Sequence, residues 1–580
     1  MKSLPLAALA LLATVASAQD RYTRRVEIVG HVNEPDKLAP TPARLANVKL
    51  PEGFRLTKFA AVENPRWMVV NADGTVYVSA RVPGVVYMLK DTDADGVADV
   101  QQVVFKREKA HGLAIHKGNL YIVTVKEIYR AAILKDGTLG APKLLRSDLP
   151  EAGQHPNRTI EFGPDGMMYV SCGSKMNEAM EDDPRNATIL RFDENAQNGE
   201  IFASGLRNTI GFGWHPVSNR MFGMDHGIDW LGDDSQHEEF NEILRGKRYG
   251  WPYLFEDNQQ NPHAEPPADY SIERLKAESQ VPLLTYTAHA APMQALFYTG
   301  SMFPSEYRND QFRAMRGSWN RLPASGYEIV RVRFDAAGQP QSIEPFVTGF
   351  LQASDNTADN TAENKVEAHI GRPVGIAQAK DGALLFGDDT NNVIYRVSYG
   401  QETPATLEDQ DDLIYEKAGS VAALEVKSES FANDGAIPMK HVFLGEDKSP
   451  ILSWDAGPTG TKSFAIVMED PDALSPKPFI HWLAADVSPV LTRLPENVSK
   501  TPRPPALAGG IQGAGSTGVV GYFGPRPPAS DPAHHYHFEI YALDTKLNLP
   551  PGFNRHALIK AMQGHILAKG ETVGQFKQEG

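Results

Sequence analysis

Four basic side chains occupy comparable places in the first 400 residues, on connections beside short apolar segments. They are His155, Arg207, Arg321 and Arg372. Arginine side chains that converge can hold a planar polyanionic ligand through paired hydrogen bonds. A histidine beside such a ligand can take up a proton near neutral pH. Taken singly, each of these residues would more often be a surface or strand-end residue, so the elements that position them decide their role.

A repeated unit extends from Leu50 to about Tyr399 and provides these connections. It consists of an apolar strand, a turn with Asp-Gly or an equivalent pair, and a second strand with alternating polarity. Its copies begin at Trp67, Leu113, Ile160, Ile210, Ala295 and Val374. The early spacing of about 45 to 50 residues is the period of propeller blades with four short strands each. Six copies predict a six-bladed β-propeller over residues 50–400, after an N-terminal segment at 19–49. A tandem of β-sandwiches, the alternative, fits this long period poorly.

The repeat stops after Tyr399, and a different unit follows. Residues 401–420 carry several acidic side chains and a proline, so they are predicted to form a linker. Residues 421–580 contain apolar strands at 464–468 and 538–543, separated by loops rich in proline and glycine. The whole chain is therefore predicted to be all-β, with a six-bladed β-propeller followed by a smaller β-rich domain.

The composition excludes several classes of function. The chain has 580 residues and a formal net charge of -15, so general attraction to nucleic acid or to an anionic membrane is not expected. Cys172 is its single cysteine, which excludes a disulfide framework, a cysteine-rich zinc site and a covalently attached c-type haem. A lone cysteine of this kind is expected to be a buried small hydrophobic residue.

The first residues have the pattern of an export signal. Lys2 is followed by an apolar run at 4–15, and the small residues at 16–18 match a cleavage site. The run is too short for a stable transmembrane helix, which needs roughly 20 residues. We expect a signal peptide at 1–18, a periplasmic or secreted protein and no transmembrane anchor. An uncleaved N-terminal membrane anchor is the alternative.

A loop of alternating aspartates lies early in the predicted propeller. Asp91, Asp93, Asp95 and Asp99 are spaced like the ligands of a cation-binding loop, with a glycine at position 96. Position twelve of the loop is Gln102 rather than the glutamate of a complete EF-hand. The loop is predicted to bind structural calcium, and the alternative is a solvated acidic turn.

Several motifs around the basic residues together resemble the soluble pyrroloquinoline quinone (PQQ)-dependent sugar dehydrogenases, especially their L-sorbosone dehydrogenase-like branch. The segments that carry the resemblance are 154–166, 204–208, 227–234, 249–252, 317–321 and 371–374. They occur in the family's order along most of residues 50–400, which is more specific than any one motif. The resemblance implies an exported quinoprotein that oxidises an aldose or ketoaldehyde sugar.

The resemblance also implies roles for individual residues around the quinone. His155 would be the general base that removes the substrate hydroxyl proton, while a hydride moves to the quinone carbonyl. Arg207 and Asn208 would contact the quinone oxygens and the reacting site. Arg321 and Arg372 would pair with the quinone carboxylates, Arg321 standing where glucose-type members have a lysine.

The main-chain carbonyls of Gly227 and Ile228 would bind a Ca2+ ion in this family. Calcium prefers oxygen ligands, and as a Lewis acid it stabilises negative charge that develops on the quinone. One position departs from the glucose-type pattern, because Ser174 stands where those members have the aspartate that orients the histidine. This difference favours the sorbosone-like branch over glucose as substrate.

The last 160 residues contain a second group of polar motifs, in which two histidines, a carboxylate, a tyrosine and a Gly-Pro turn could build a small anion pocket. The candidate residues are Asp470, His481, Tyr522, Gly524, His534 and Tyr536. Their order resembles the phosphatidylethanolamine-binding protein family, in its bacterial Raf-kinase-inhibitor-like branch, although Leu474 stands where many members have proline. The resemblance implies a β-fold that binds a phosphate-like anion, and a purely structural appendage is the alternative.

Two other classes of function stay open from the sequence. A calcium-dependent propeller hydrolase, such as a lactonase, would gather carboxylates around a central metal, whereas this chain offers arginines. A non-catalytic propeller could act as a binding module. In the leading hypothesis the absence of a haem motif requires a separate electron acceptor, a quinone or a cytochrome.

Overall fold

The structure, a computed structural model, describes residues 28–92, 94, 96–98, 100–354, 367–400, 413–473, 478–527 and 531–578. The predicted signal peptide, most of the predicted linker, Leu474 and three of the four loop aspartates (Asp93, Asp95 and Asp99) lie outside these residues. The described chain begins with β1 (Asp36–Lys37), α1 (Pro42–Leu45) and β2 (Phe54–Ala61). Its helices are short, and none of the described ones has both the length and the apolar character needed to cross a bilayer.

The described residues form six four-stranded antiparallel sheets, numbered here in chain order. Sheet 1 consists of β3 (Pro65–Val70), β4 (Val76–Ala80), β5 (Val85–Lys90) and β6 (Val100–Lys106). Sheet 2 consists of β7 (Gly112–His116), β8 (Asn119–Val123), β9 (Ile128–Ala132) and β10 (Lys143–Arg146). Sheet 3 consists of β11 (Thr159–Phe162), β12 (Met168–Cys172), β13 (Thr188–Phe192) and β14 (Glu200–Ser204).

Sheet 4 contains an insertion before its last strand. Its first strands are β15 (Phe212–Trp214), β16 (Met221–Asp225) and β17 (Glu238–Glu242). The insertion contains β18 (Leu254–Phe255), β19 (Gln259–Gln260) and α2 (Ile272–Glu278). The fourth strand of the sheet is β20 (Leu284–Tyr286). Sheet 5 consists of β21 (Pro292–Phe297), β22 (Gln311–Met315), β23 (Glu328–Phe334) and β24 (Pro340–Val347).

The last of these sheets includes a strand from the start of the chain. β25 (Leu351–Ala353) and β26 (Glu367–His369) first form a small sheet with β1, and sheet 6 then consists of β27 (Pro373–Gln378), β28 (Leu384–Asp388), β29 (Val393–Tyr399) and β2. The pairing of β2 with β29 joins the two ends of this region. A strand from the start of the chain, β2, thus completes the last sheet.

Each sheet begins with a hairpin within a few residues of the place the repeat predicts. The turns need a backbone with positive φ, which Gly74 (φ 99°), Gly166 (φ 73°) and Asn219 (φ 54°) supply. In sheet 4 the first strand begins at Phe212, two residues later than predicted. Just before it, the Gly211 backbone packs closely against β21, since a Cβ there would lie 2.1 Å from the Met293 carbonyl oxygen.

Sheets 1, 5 and 6 meet at their first strands. The Gln294 side chain on β21 donates a hydrogen bond to the Met68 carbonyl on β3 and accepts bonds from the N–H groups of Met68 and Ile376. Apolar side chains from the faces of these sheets form a large buried core, which includes Trp67 and Phe312. Cys172 is buried at the end of β12, as its solitary occurrence suggested.

The remaining chain forms the second β-rich unit predicted from the sequence. Its elements are α3 (Ile414–Lys417), β30 (Ala422–Ala423), β31 (Val426–Ser428), β32 (Gly435–Ala436), β33 (Leu452–Trp454), β34 (Ser463–Asp470), β35 (Phe479–Val487), β36 (Arg493–Leu494), β37 (Ile511–Gln512), β38 (His534–Leu543), α4 (Arg555–Met562) and β39 (Ile566–Phe576). β34, β35, β38 and β39 lie in one seven-stranded sheet, and β31, β33 and β36 form a three-stranded sheet. The first sheet places Asp470, His481 and His534 at the ends or starts of neighbouring strands.

Candidate active site

The candidate residues of sheets 3 and 4 lie at the same end of the strands of these sheets. In an antiparallel hairpin the start of the first strand and the end of the second strand are neighbours. His155 precedes β11 and Ser174 follows β12, while Arg207 precedes β15 and Gly227 follows β16. The Ser174 N–H donates to the Arg207 carbonyl over 2.7 Å, which links the strand ends of sheet 3 to those of sheet 4. The hairpin topology therefore brings together residues that are far apart in sequence.

His155 is held by Ser174 through one ring nitrogen. Its Nδ1 lies 2.9 Å from both the carbonyl oxygen and the Oγ of Ser174. The Ser174 hydroxyl donates to the Met176 carbonyl over 2.6 Å, so its oxygen is free to accept from the ring. Both partners are therefore acceptors, and the proton belongs on Nδ1. This tautomer leaves Nε2 unprotonated, and no described residue forms a hydrogen bond with it.

The surroundings of His155 keep its ring neutral. The side chain is only 9% exposed, and burial holds its pKa well below 6.5. The positive charge of Arg207 and the nearby His226 lower the pKa further, whereas the hydrogen bond to Ser174 opposes them. A buried neutral imidazole with a free nitrogen is the form that a general base requires.

Arg207 is fixed in a network that leaves one nitrogen available. It is 2% exposed; its Nε donates to the Asn177 carbonyl over 3.0 Å, and its Nη2 donates to the Asn177 side chain over 2.6 Å. Nη2 also lies 2.8 Å from the Asp229 carboxylate, which accepts a further bond from Gln154. Nη1 donates to no described residue. The guanidinium is thus oriented before any ligand binds.

Asp225 positions the backbone at Arg207 and Asn208. Its carboxylate accepts their N–H groups over 2.7 and 2.8 Å, together with the Thr209 hydroxyl over 2.8 Å. Burial raises the pKa of Asp225 to about 6, although these hydrogen bonds favour the charged form. Sequence reasoning missed this residue, because an aspartate that ends a strand has no motif of its own.

Asn208 lies against His155 because a glycine separates them. A Cβ at Gly173 would lie 2.6 Å from the His155 Cβ and 2.7 Å from the Asn208 Oδ1. The Asn208 Oδ1 is buried and has no hydrogen-bond partner among the described residues. A buried polar atom of this kind is costly unless something else satisfies it. The structure therefore places an unsatisfied amide beside the candidate base.

The carbonyl groups of Gly227 and Ile228 also have no hydrogen-bond donor among the described residues. Their N–H groups donate to Glu238 over 2.9 Å and to the Gln236 side chain over 3.2 Å, but no described donor reaches their oxygens. Burial raises the pKa values of Glu238 and of its neighbour Glu239 to about 8. Free main-chain oxygens are suitable calcium ligands. Within the described parts of the chain, no three His, Cys, Asp or Glu side chains are grouped as a metal site.

The other candidate calcium loop is described only in part. The Asp91 carboxylate accepts the Gly96 N–H over 2.9 Å, a bond from the first predicted ligand to the glycine inside the loop. Asp93, Asp95 and Asp99 lie outside the described residues. The calcium assignment for this loop stays a prediction.

Arg321 and Arg372 lie on connections of sheets 5 and 6. Arg321 donates to the Asp233 carbonyl over 3.0 Å and to the Asp234 carboxylate over 2.7 Å. Arg372 donates to the carbonyl of Gly317 over 2.7 Å, on the connection that leads to Arg321. Arg321 and Arg372, which are predicted to pair with the quinone carboxylates, therefore lie on adjoining connections. Both are at the same end of the sheets as His155 and Arg207.

Two further arginines, which sequence reasoning missed, add positive charge beside Arg372. Arg316 lies 3.0 Å from the Asp389 carboxylate, and the buried Arg66 pairs with the same carboxylate. Burial and the charge of Arg316 lower the pKa of Arg372, with Asp389 compensating only in part. Repulsion between these cations would fall if an anion bound between them.

Four of the C-terminal candidates form one polar group. The Asp470 carboxylate lies 2.9 Å from His534 Nδ1 and 3.9 Å from His481 Nε2. Although burial opposes it, the neighbouring His481 and His534 lower the pKa of Asp470. The buried Tyr536 hydroxyl lies near this carboxylate, and burial together with the negative charge of Asp470 raises the tyrosine pKa.

The Gly-Pro turn approaches this group through its main chain. The Phe523 carbonyl lies 2.8 Å from His481 Nδ1, and the Gly524 N–H donates to Asp447 over 2.8 Å. The Tyr522 hydroxyl donates to the His441 carbonyl over 2.7 Å, so it is directed towards that main chain rather than towards Asp470. Gly524 is required by space, because a Cβ there would lie 2.5 Å from the His441 carbonyl oxygen.

A comparison with protein families decides the identity of the first region. The model of the family described as glucose/sorbosone dehydrogenase matches residues 62–396, more than half of the chain. The chain belongs to this family. A second model, described as phosphatidylethanolamine-binding protein, matches residues 427–577. The C-terminal region belongs to that second family, and the two memberships confirm both resemblances.

Relatives of known sequence exist for each region. An uncharacterized protein of Borreliella burgdorferi is 30% identical over 373 residues, which cover 61% of this chain and 91% of that protein. A UPF0098 protein of Methanothermobacter thermautotrophicus is 39% identical over 155 residues, covering 27% of this chain and 99% of that protein. The second relative corresponds to the C-terminal region.

Solved structures support the fold of the sugar dehydrogenase region. The holo PQQ domain of pyranose dehydrogenase from Coprinopsis cinerea is 19% identical, with a TM-score of 0.50 over 60% of this chain and 97% of that one. A calcium structure of a Trichoderma reesei carbohydrate-active enzyme of family AA12 is 20% identical, with a TM-score of 0.51 over 61% and 97%. At these identities the likeness concerns the fold, and family membership supports an oxidoreductase that acts on sugars.

Proposed function

We propose that this glucose/sorbosone dehydrogenase family member is an exported quinoprotein that oxidises an aldose or a ketoaldehyde sugar such as sorbosone. The observation that carries the proposal is the buried neutral His155, whose Nε2 has no described hydrogen-bond partner and whose ring lies in the field of Arg207, with Asn208 across Gly173. Calcium-bound PQQ would supply the hydride acceptor for the sugar carbon. A separate quinone or cytochrome would then take the electrons.

His155 acts as the general base through Nε2. The proton of the substrate hydroxyl moves to this nitrogen, and the bond from Nδ1 to Ser174 stabilises the imidazolium that results. Because burial disfavours that charged form, the proton is released readily afterwards. Ser174 offers two neutral acceptors, so the ring is oriented without a carboxylate partner.

The residues around His155 fit a planar polyanion. Arg207 offers its free Nη1, and the Asn208 amide has an unsatisfied oxygen that can accept from a ligand or substrate hydroxyl. Arg321 and Arg372 would bind the quinone carboxylates. The two additional arginines near Arg372 add to the positive potential that attracts such a ligand.

The unpaired carbonyls of Gly227 and Ile228 would hold the Ca2+ ion. Their N–H groups are fixed by Glu238 and Gln236, which keeps the two oxygens in place. The aspartate loop that includes Asp91 would hold a second, structural calcium ion.

The six four-stranded sheets would be the blades of a six-bladed β-propeller, with β2 and β29 joining its ends. We place the propeller at 50–400 after the segment 19–49, the linker at 401–420 and the second domain at 421–580. Residues 1–18 would direct export to the periplasm or the medium. The second domain would bind a phosphate-like anion at Asp470, His481, His534 and Tyr536, beside the turn with Tyr522 and Gly524.

The proposal is tested with purified protein loaded with PQQ and Ca2+ and its His155→Ala variant. We expect the variant to bind PQQ as the parent does, with turnover of the oxidised sugar reduced by at least about 100-fold. His155→Gln serves as the control for the volume of the ring. Turnover retained in His155→Ala would overturn the assignment of the base, and hydrolysis of lactones without PQQ would favour a hydrolase.

A further inference from the structure

A pair of tryptophan rings stands beside the candidate site. Trp230 is 46% exposed and directly follows Asp229, the carboxylate that pairs with Arg207. Its ring packs edge to face with Trp319, with 5.2 Å between centroids and 85° between planes. A large aromatic surface that remains exposed next to a polar site is typical of a ligand-binding surface.

The loops that carry the two rings are bound to each other. The Asn320 side chain donates to the Asp229 carbonyl over 2.7 Å, and the Arg321 Nε donates to the Asp233 carbonyl over 3.0 Å. His289 fixes the same loop through a 2.8 Å contact with the Gly232 carbonyl. The loops that carry Trp230 and Trp319 are therefore fixed by hydrogen bonds to each other and to His289.

The N-terminal segment fastens both loops. The His31 N–H and Nδ1 contact the Asp233 carboxylate over 2.9 and 2.6 Å. The Asn33 N–H donates to the Trp319 carbonyl over 3.0 Å, and its side chain donates to the Arg321 carbonyl over 3.2 Å. This clamp gives the aromatic surface a fixed position before any ligand arrives, which lowers the entropy cost of binding.

The chemistry of the surface suits a sugar ring. The face of an indole is electronegative and attracts the C–H groups on one side of a pyranose, while the sugar hydroxyls need polar partners around it. The Asp234 side chain, which pairs with Arg321, is 88% exposed on the same loop, and Gln154 is exposed next to the candidate base. Polar groups that can bond sugar hydroxyls thus lie on the same loops as the exposed aromatic ring or beside the candidate base.

We propose that Trp230, supported by Trp319, binds a second sugar ring next to the one that is oxidised. The aldose that is oxidised is then the end unit of an oligosaccharide, which the enzyme prefers to the free monosaccharide. This inference rests on the proposed function, because it assumes that a sugar reacts near His155. A protein electron acceptor that docks on the exposed ring is the competing occupant, and the experiment separates the two.

The experiment compares glucose with the disaccharides maltose, cellobiose and lactose. Dye-linked kcat and KM are measured for the enzyme loaded with PQQ and Ca2+, for Trp230→Ala and for Trp230→Phe. We expect Trp230→Ala to raise KM for the preferred disaccharide about tenfold at unchanged kcat, and KM for the monosaccharide less than about twofold. Trp230→Phe should retain most of the disaccharide affinity. Val217→Ala is the control, since Val217 is 63% exposed but lies in the turn between β15 and β16, at the opposite end of sheet 4.

A second measurement separates this inference from the proposed function. Calorimetric titration of the protein without cofactor should show disaccharide binding that Trp230→Ala weakens to the same extent. If no sugar is oxidised, the proposed function fails and this titration still decides the role of Trp230. Equal effects of Trp230→Ala on both sugar classes, or an effect only on reduction of a protein acceptor, would overturn the inference.

Discussion

The sugar dehydrogenase region and the C-terminal region each bury a histidine at a sheet edge, but they give its Nδ1 different partners. His155 contacts the neutral oxygens of Ser174, and His534 contacts the Asp470 carboxylate. In the first region burial and Arg207 hold the pKa of His155 low, so the ring stays neutral. In the second region two histidines keep the buried carboxylate charged. The first arrangement suits a group that accepts a proton, whereas the second holds a fixed negative charge.

The largest effect is expected from Arg207→Ala. The change removes the guanidinium whose Nη1 donates to no described residue and leaves the Asp229 carboxylate without its buried partner. We expect kcat/KM to fall by more than about 100-fold and PQQ binding to weaken. The control is Arg245→Ala, which removes an exposed ion pair with Glu200 and should leave both quantities unchanged. Normal PQQ affinity in Arg207→Ala would contradict its role in the cofactor site.

Asp225→Ala should have the next largest effect, because Asp225 acts through its neighbours. Loss of three hydrogen bonds at residues 207–209 should lower kcat about 10- to 100-fold. Asp225→Asn keeps one acceptor oxygen and should recover part of the activity. If stability falls but kcat of the folded protein is unchanged, Asp225 is only a structural residue.

The pH dependence of oxidation tests the neutral partner of His155. Because the pKa of His155 is lowered, the acid limb of kcat/KM should lie below pH 6.5, with activity lost as pH falls through it. Ser174→Asp would give His155 the kind of partner that His534 has, and the limb should move up by about one pH unit. Ser174→Ala keeps the carbonyl acceptor and should change the limb little. An unshifted limb in Ser174→Asp would show that Nδ1 does not control the base.

The smallest effect on oxidation is expected from Asp470→Ala. The change removes the carboxylate shared by His481 and His534, so binding of inorganic phosphate to the C-terminal region should be lost. Sugar oxidation should stay within about twofold, because no residue of the candidate active site contacts Asp470. Calorimetry with phosphate and dye-linked assays on the same preparation measure both effects. A large loss of oxidation would show that the two regions are coupled.

Local patterns in the sequence were sufficient to predict the hairpins, because turn residues such as Gly74 and Asn219 specify them directly. The positions of His155 and Arg207 followed from the family resemblance. Asp225 could not be predicted, because its partners are main-chain N–H groups 17 and 18 residues away. The direction of the Tyr522 hydroxyl towards the His441 carbonyl likewise depends on a distant loop.

We propose above all that His155 takes the proton of the sugar hydroxyl while a bound quinone accepts the hydride. The most direct measurement is a titration of the purified protein with PQQ in the presence of Ca2+, followed by absorbance and by dye reduction with a panel of aldoses and sorbosone. We predict a stoichiometric absorbance change and dye reduction with at least one sugar, both lost when Ca2+ is chelated. Folded protein that binds no PQQ under these conditions would contradict the account.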